Sequence, residues 1–492
     1  MAMAPPRVSR KTRGNFPAQE KILSAMVESS QVDIDTAMRI ETRYFVELLG
    51  MPITKNLLGF LWFESRQAKS GVRRPADYPE KKIKKVAILG AGMMGGGIAY
   101  ACAVRGIDAV LKDVSLAQAE KGKGYTLTVL ERNAKKGIVV AESSDVILGR
   151  ILATDKYGDC SGADLVIEAV FEKRDLKNQV YGEIEPFARS SGVIASNTST
   201  LPITSLAKGV KNKDRFIGMH FFSPVDRMEL VELIRGQETS EETIALAFDF
   251  LKQIDKTPIL VNDSRGFFTT RLFHTFPREG VRMVAEGVPA AIVENAAQLA
   301  GWPVGPLEVR DNVSLLLTLD VIEATKKDYA AEGLTYEETP AEHLIYRMVN
   351  EFKRLGRAAG GGFYDWTGGK KILWQGLKEF ERRDMVLPLG DVKDRMLYIQ
   401  ALEAVKILDE GIIETVGEAN VGSILGIGFP RWTGGVIQFI NTVGVNEFIR
   451  RAQELAEHYG ERFNPPQSLK DMATRGASFP HGAIVPQKRK RS

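Results

Sequence analysis

Between about residues 17 and 70, apolar side chains recur at three- and four-residue intervals: Ile22 and Met26, then Met38, Tyr44, Leu48 and Leu49. That spacing predicts helices with one apolar face. The Pro- and Lys-rich run GVRRPADYPEKKIKK (71–85) breaks the pattern and reads as a linker. Beyond it, short apolar runs alternate with amphipathic stretches. VAILG (86–90), DAVLKD (108–113), LVIEA (165–169), GVIAS (192–196), FIGMHFF (216–222) and ELVELI (229–234) are predicted strands, with helices to about 105 and over 115–136. Strands interleaved with helices predict βαβ units and a mainly parallel sheet. Uninterrupted apolar runs such as VAIL and LVI suit a sheet covered on both faces. This block closes near residue 263.

The remainder reads as mostly helical and carries a diverged repeat. Residues 281–313 parallel 405–444: each has an acid–Gly pair (Glu286-Gly287, Glu410-Gly411), a glutamate eight residues on (Glu294, Glu418) and a Gly-aromatic-Pro turn (Gly301-Trp302-Pro303, Gly428-Phe429-Pro430). Two helical domains of similar build explain this, joined by a linker that includes AAGGGFYDWTGGKK (358–371). The expected partition is 1–16 disordered, 17–80 a helical linker segment, 81–263 an α/β domain, 264–366 and 385–480 the helical repeats, and 481–492 a basic tail.

Composition narrows the function classes. Apolar residues at 44% and charged residues at 26% are ordinary for a folded chain, so disorder is excluded for most of the length. The net charge of +4 is unevenly placed: residues 1–85 hold 16 basic and 9 acidic side chains, and the last five residues add four basic ones. A nucleic-acid binder needs its basic excess on the folded body, and this excess lies on the flanks. Two cysteines, Cys102 and Cys160, make neither a disulfide framework nor a cysteine-rich zinc site, and they fit a reducing compartment. No run approaches 18 apolar residues, and the basic N-terminus lacks the apolar core of a secretory signal. A cytoplasmic location is expected.

The chemistry begins at Gly90-Ala91-Gly92-Met93-Met94-Gly95, which follows the first predicted strand and opens a helix. There the glycines permit a tight turn, approach of backbone N–H groups to a pyrophosphate, and close helix–strand packing. The helix N-terminus adds a field that favours phosphate. Asp113 stands at the end of the second predicted strand, where a carboxylate bonds ribose hydroxyls and repels a 2′-phosphate. NAD is therefore expected over NADP; the competing reading is an unliganded turn with a solvated strand-end acid. Of five histidines only His220 falls in the α/β block, and Glu232 follows twelve residues later in another apolar run. A buried carboxylate is costly unless paired. Pairing with His220 satisfies it and gives the imidazole a fixed tautomer for proton transfer. The bland alternatives are a core histidine and a strand-edge acid. SNTST (196–200) ends another predicted strand and suits either a ligand-facing edge or a helix N-cap from Ser199 or Thr200.

Together GAGMMG, Asp113, VIEAVFEKRDLK, ASNTS, GMHFFSPVDRMELVELI, DSRGFF and GWPVGPLEVRD resemble the L-3-hydroxyacyl-CoA dehydrogenases over about residues 17–480. The resemblance is closest to the dehydrogenase part of multifunctional fatty-acid β-oxidation enzymes. It implies an α/β Rossmann-type NAD-binding domain followed by two similar all-helical domains of the 6-phosphogluconate-dehydrogenase-like C-terminal fold, which close over an acyl-CoA, with an N-terminal helical linker segment. It places the catalytic histidine at His220, its glutamate partner at Glu232, and a residue touching both substrate and cofactor at Ser199. NAD contacts fall on Gly90, Gly92, Met93, Met94, Gly95, Asp113, Glu172, Lys177 and Asn197; Thr270 falls on a substrate position, and Lys135, beside Lys136, near the CoA phosphate. No metal is implied. The expected activity is NAD-dependent oxidation of (3S)-3-hydroxyacyl-CoA to 3-oxoacyl-CoA, by a homodimer or larger assembly with a possible thiolase or hydratase partner. The alternatives are a related hydroxy-acid dehydrogenase not using CoA, and a catalytically weak assembly subunit. Thr270 replaces the asparagine of the family's GFxxNR, and Ser223 that of HFFNP, which bears on acyl preference. In multifunctional members an enoyl-CoA hydratase domain precedes the helices that residues 17–66 resemble; this chain starts just before them, so no hydratase activity is expected.

Overall fold

The computed structural model describes residues 4–138, 142–331, 333, 335–382, 384–385 and 387–484. They form two compact units that do not follow chain order: among the described residues, 59–271, 407–427 and 480–484 make an α/β unit, and 4–58, 272–406 and 428–479 a helical one.

The α/β unit is built on eight strands: β1 Lys85–Leu89, β2 Asp108–Lys112, β3 Ile151–Thr154, β4 Leu165–Glu168, β5 Val193–Ser196, β6 Phe216–Phe221, β7 Leu230–Arg235 and β8 Thr257–Asn262. Their order is β3-β2-β1-β4-β5-β6-β7-β8. The strands from β3 to β6 in that order are parallel; β7 runs antiparallel to β6, and β8 parallel to β7. Val86, Ile88, Leu111, Ile167, Ala195 and Ile217 fill one face, packed with Ile98, Ala99 and Cys102 of the helix that follows β1. Two strands escape the sequence pattern. β3 is four residues long and leaves Leu152 exposed, and β8 contains Pro258. Proline argues against a central strand but is tolerated at an edge, where β8 lies. The expected linker 71–85 is pinned down: Arg74 pairs with Asp249 at 2.6 Å and donates to the carbonyls of Pro75 and Tyr78.

The open side of β8 is covered from far along the chain. Asn262 N donates to Ile412 O at 2.7 Å, and Val261 forms an antiparallel bridge with Ile413. The helix Val416–Ile427 then packs on the sheet, with Glu418 accepting from Leu260 N at 2.9 Å. A Cβ at Gly422 would lie 2.7 Å from Ile259 and 2.9 Å from Phe268; one at Gly426 would lie 2.6 Å from Leu230. Missing side chains one turn apart let this helix approach closely. Covering an edge in this way blocks pairing with other chains. This division corrects the expected 385–480 domain, because residues 407–427 belong with the sheet. The first 16 residues, expected to be disordered, hold a helix over Ala4–Thr12, followed by bonds from Arg13 to Gln298 and from Asn15 to Leu299 O. Of the basic tail, residues 485–492 lie outside the described residues.

In the helical unit, helices Pro17–Ser29, Ile34–Leu49 and Pro52–Leu58 occupy the stretch with helical spacing. The repeated motifs take matching positions. Helices Ala290–Ala300 and Val416–Ile427 each end before a glycine with positive φ, Gly301 (117°) and Gly428 (71°). Glu294 and Glu418 each accept from a backbone N–H, of Leu307 and Leu260 respectively. The glycine-rich stretch expected to be a linker contains a hairpin, Tyr364–Thr367 with Lys370–Leu373. Asp311 orders it by accepting from Phe363 N, Tyr364 N and Trp366 Nε1.

Residues 480–484 return to the α/β unit. Gln67 donates to Gly482 O and accepts from Ile484 N, while Gly482 N donates to Glu64 Oε1 at 3.2 Å. Glu64 ends a π-helical turn, Gly59–Glu64, and is fully buried with Asn420 Nδ2 at 3.2 Å. Burial pushes its carboxyl up to about 8. Folded Glu64 therefore keeps a proton that the unfolded chain releases near 4.5, and stability falls as pH rises from about 4.5 to about 8. Glu64→Gln retains an acceptor for Asn420 and Gly482 and removes this slope. Its unfolding free energy is expected to exceed wild type by an increment that grows between pH 5 and pH 8, at about 1.4 kcal/mol per pH unit, read by denaturant unfolding. A constant difference across that range contradicts the argument.

Candidate active site

Because β1, β4, β5 and β6 are parallel neighbours, their carboxyl ends form one edge, where ligands bind in open α/β sheets. The turn after β1 comes first. Gly90 has φ 101°, and a Cβ there would lie 2.6 Å from Ala169 O; one at Gly95 would lie 1.8 Å from Gly90 O. These two glycines are required by the protein itself. Gly92, which caps helix Met93–Ala103, is different: a Cβ there would meet nothing within 4 Å. It leaves space at a helix N-terminus, the geometry a diphosphate needs. The turn opens into a cleft of about 710 Å³ lined by Gly90, Gly92, Met93, Met94, Asp113, Val114, Tyr157 and Phe171, among others. Asp113 accepts from Ala91 N at 2.6 Å and Val114 N at 2.7 Å, which ties the acid to the glycine turn. Met93, Val114 and Phe171 are exposed at 62%, 86% and 81%, so the cleft presents apolar surface beside its polar groups. These residues fit a dinucleotide.

Next along the edge is a buried carboxylate network. Glu168, at the end of β4, accepts from Lys177 Nζ (2.7 Å), Tyr181 OH (2.8 Å), Ser196 Oγ (2.7 Å) and Val170 N (2.8 Å). Lys177 Nζ also reaches Glu172 at 3.2 Å. Burial pushes the Glu172 carboxyl up, but the Lys177 ammonium and the Thr198 hydroxyl hold it below its ordinary value. Glu172 accepts from Thr198 Oγ1, Ser199 N, Thr200 N and Thr200 Oγ1, so it shapes the whole turn after β5. Lys177 is only 1% exposed and does not line the cleft: it is a buried counter-ion, not a group presented to it. Ser199 is half-buried, its Oγ 3.5 Å from Glu172, and its carbonyl accepts from Thr270 Oγ1 at 3.0 Å. Asn197 Oδ1 accepts from Phe221 N at 2.8 Å, which fixes that amide against the end of β6.

The third feature is His220. Register pairs Glu168 with Ser196 and Ser196 with Gly218, and His220 lies two residues further along β6, on the same sheet face. The antiparallel β7 sets Glu232 directly opposite, and His220 Nδ1 lies 3.0 Å from Glu232 Oε2. Glu232 is wholly buried and takes three further donors: Phe268 N (2.9 Å), Thr269 N (3.0 Å) and Thr269 Oγ1 (2.5 Å). A carboxylate so supplied accepts from every side, so Nδ1 carries the imidazole proton and Nε2 is left with its lone pair. Phe222 lies against the ring at 4.5 Å between centroids.

The structure thus gathers the glycine turn, Asp113, Glu172, Asn197, Ser199, His220, Glu232 and Thr270 at one sheet edge. Lys135 and Lys136 are exposed at the C-terminal end of helix Leu116–Lys135. Sequence reasoning missed Thr269, Glu168 and the apolar pair Val114 and Phe171. Only Glu168 leaves a sequence signal, an acid closing a buried strand.

A glycine turn beneath a dinucleotide-sized cleft, with an acid at the second strand, defines a nicotinamide-dependent oxidoreductase. Two stretches match family models: "3-hydroxyacyl-CoA dehydrogenase, NAD binding domain" over residues 85–264, and "3-hydroxyacyl-CoA dehydrogenase, C-terminal domain" over 266–366. A fatty acid oxidation complex subunit alpha from Pseudomonas syringae is 34% identical over 474 residues, which cover 94% of this chain and 65% of that protein. Among solved structures, (S)-3-hydroxybutyryl-CoA dehydrogenase from Ralstonia eutropha is 37% identical, with TM-score 0.53, over 58% of this chain and all of its own. The 3-hydroxybutyryl-CoA dehydrogenase of Escherichia coli shares the fold, with TM-score 0.69 and 22% identity over 80% of this chain and 99% of its own. The chain belongs to the 3-hydroxyacyl-CoA dehydrogenase family, and its cofactor is NAD. It spans 65% of the length of the first curated relatives it matches.

The Thr269 hydroxyl can be tested alone. Thr269→Val keeps the shape but removes one donor from a buried carboxylate, and a loss of about 1–3 kcal/mol in denaturant unfolding is expected. Unchanged stability would show that Glu232 does not depend on it.

Proposed function

We propose that the protein oxidises (3S)-3-hydroxyacyl-CoA to 3-oxoacyl-CoA in fatty-acid β-oxidation. The observation that carries this reading is the 3.0 Å contact between His220 and a fully buried Glu232 at the same sheet edge as the glycine turn. His220 Nε2 takes the proton from the substrate hydroxyl, and Nδ1–H stays on Glu232. As the imidazole becomes positive, Glu232 stabilises it without reorganising, because its donors are already fixed. NAD, when bound, supplies the acceptor for the hydride leaving C3. Asp113, the N–H groups at Gly92–Met94 and the apolar cleft walls hold the dinucleotide; Glu172, backed by Lys177, sets the turn carrying Asn197 and Ser199. Ser199 positions the substrate oxygen, and Thr270 fixes the Ser199 backbone. Lys135 lies near the CoA phosphate, and a second subunit, of this chain or of a thiolase or hydratase, completes the assembly. Family membership and the saturated His220–Glu232 pair favour this over a weak assembly subunit.

His220→Gln is expected to lower kcat by about 10²–10⁴-fold, the worth of positioned general-base help, while NADH binding followed by fluorescence is kept. Near-normal turnover removes His220 from its role. Asp113→Ala is expected to raise the KM for NAD about tenfold or more and to narrow the preference over NADP, read in the same NADH assay. An unchanged cofactor preference would show that Asp113 serves only the glycine turn.

A further inference from the structure

The α/β unit has a second cavity, at the strand ends opposite the glycine turn. Gly192 precedes β5 and Arg215 precedes β6, and both line a cavity of about 380 Å³ at the amino ends of these parallel neighbours. The dinucleotide cleft opens at the carboxyl ends, a strand's length or roughly 15 Å away, and the two share no lining residue.

Three cations face the second cavity, Arg189, Lys211 and Arg215, against one acid, Glu185. Glu185 braces the loop itself. It accepts from Lys211 N at 2.5 Å, while Lys211 Nζ stands 3.8 Å off on a side chain that is 85% exposed. Arg189 is pinned by Asp164, which the N–H groups of Lys84 and Lys85 hold at 2.8 and 3.1 Å. Arg215 gives Nη1 to Ser191 O at 2.8 Å; Glu242 lies 3.6 Å from it and is closer to Lys81, at 2.7 Å. Neither Asp164 nor Glu242 lines the cavity. Two guanidinium forks are thus anchored at the wall by part of their N–H groups, so ordering them around a ligand costs little. Like charges around one space favour an anion there.

The donors select which anion. A carboxylate brings two oxygens, whereas a phosphoryl group brings three, one for each cation. Asn212 and Ser190 add an amide and a hydroxyl at the wall. The space is larger than a bare phosphate needs and falls in the range of small-molecule pockets, with Pro186, Ala188 and Ile194 offering apolar surface to an organic group.

We propose that this cavity binds a small phosphate monoester, at a site separate from the cofactor cleft. The test is calorimetric titration of the full chain, kept saturated with NADH, with phenyl phosphate, benzoate and inorganic phosphate. Phenyl phosphate is expected to bind with a dissociation constant at or below about 1 mM, roughly tenfold tighter than either of the others. Lys211→Ala should weaken it about threefold to tenfold, and the double variant Lys211→Ala with Arg215→Gln about thirtyfold or more, with NADH affinity by fluorescence kept within about twofold. Unchanged affinity in the double variant overturns the proposal. So does binding that appears only when NADH is left out, which places the ester in the cofactor cleft. No saturable heat from wild type up to about 10 mM overturns it too, whatever the variants do. Equal affinity for benzoate overturns the phosphoryl assignment, and equal affinity for inorganic phosphate overturns the ester.

Discussion

One buried carboxylate organises the sheet edge beside the glycine turn of the α/β unit. Glu232 has no contact with water and takes two backbone N–H groups, one hydroxyl and one imidazole. Charge removed from water at this depth is tolerable only with such compensation. The donors come from two segments, β6 and the chain leaving β8, and a helix from further along backs the second. The reversal of β7 puts Glu232 opposite His220; the chain leaving β8 brings Phe268 and Thr269; and helix Val416–Ile427 presses on Phe268 through Gly422. His220 is thus held by contacts reaching from residue 220 to residue 427.

The parts of this site that were legible in the sequence are those where local chemistry is expensive. Gly90 and Gly95 are demanded by turn and packing geometry, Gly92 by the space it leaves, and an acid inside ELVELI has to find a partner. His220 was the one histidine in the α/β block that could answer it. What could not be read depends on distant pairing. Thr269 looks like any helix-start threonine until Glu232 is placed beside it. Pro258 disguised β8, because edge position is a property of the sheet and not of the segment. The glycines of 358–371 resembled a linker because the order of that hairpin comes from Asp311, far back in the chain.

The two departures from the family pattern acquire different weights in three dimensions. Thr270, in place of an asparagine, still donates to the carbonyl of Ser199, so backbone bracing survives the shorter side chain. Ser223 lies beside Met93 of the glycine turn, its Oγ 3.5 Å from the sulfur, in contact with the cleft wall. The first change therefore bears on the turn after β5 and the second on the cleft wall beside the glycine turn.

The cover over β8 also orders events in time. Gly411, whose carbonyl receives the Asn262 amide, lies 149 residues after it. At ribosomal rates of roughly 5–20 residues per second, the nascent sheet waits on the order of 10–30 s with its last strand bare. For that interval the growing chain resembles an unfinished barrier against aggregation, and whatever shelters emerging polypeptides must bridge the gap until the closing helix is made.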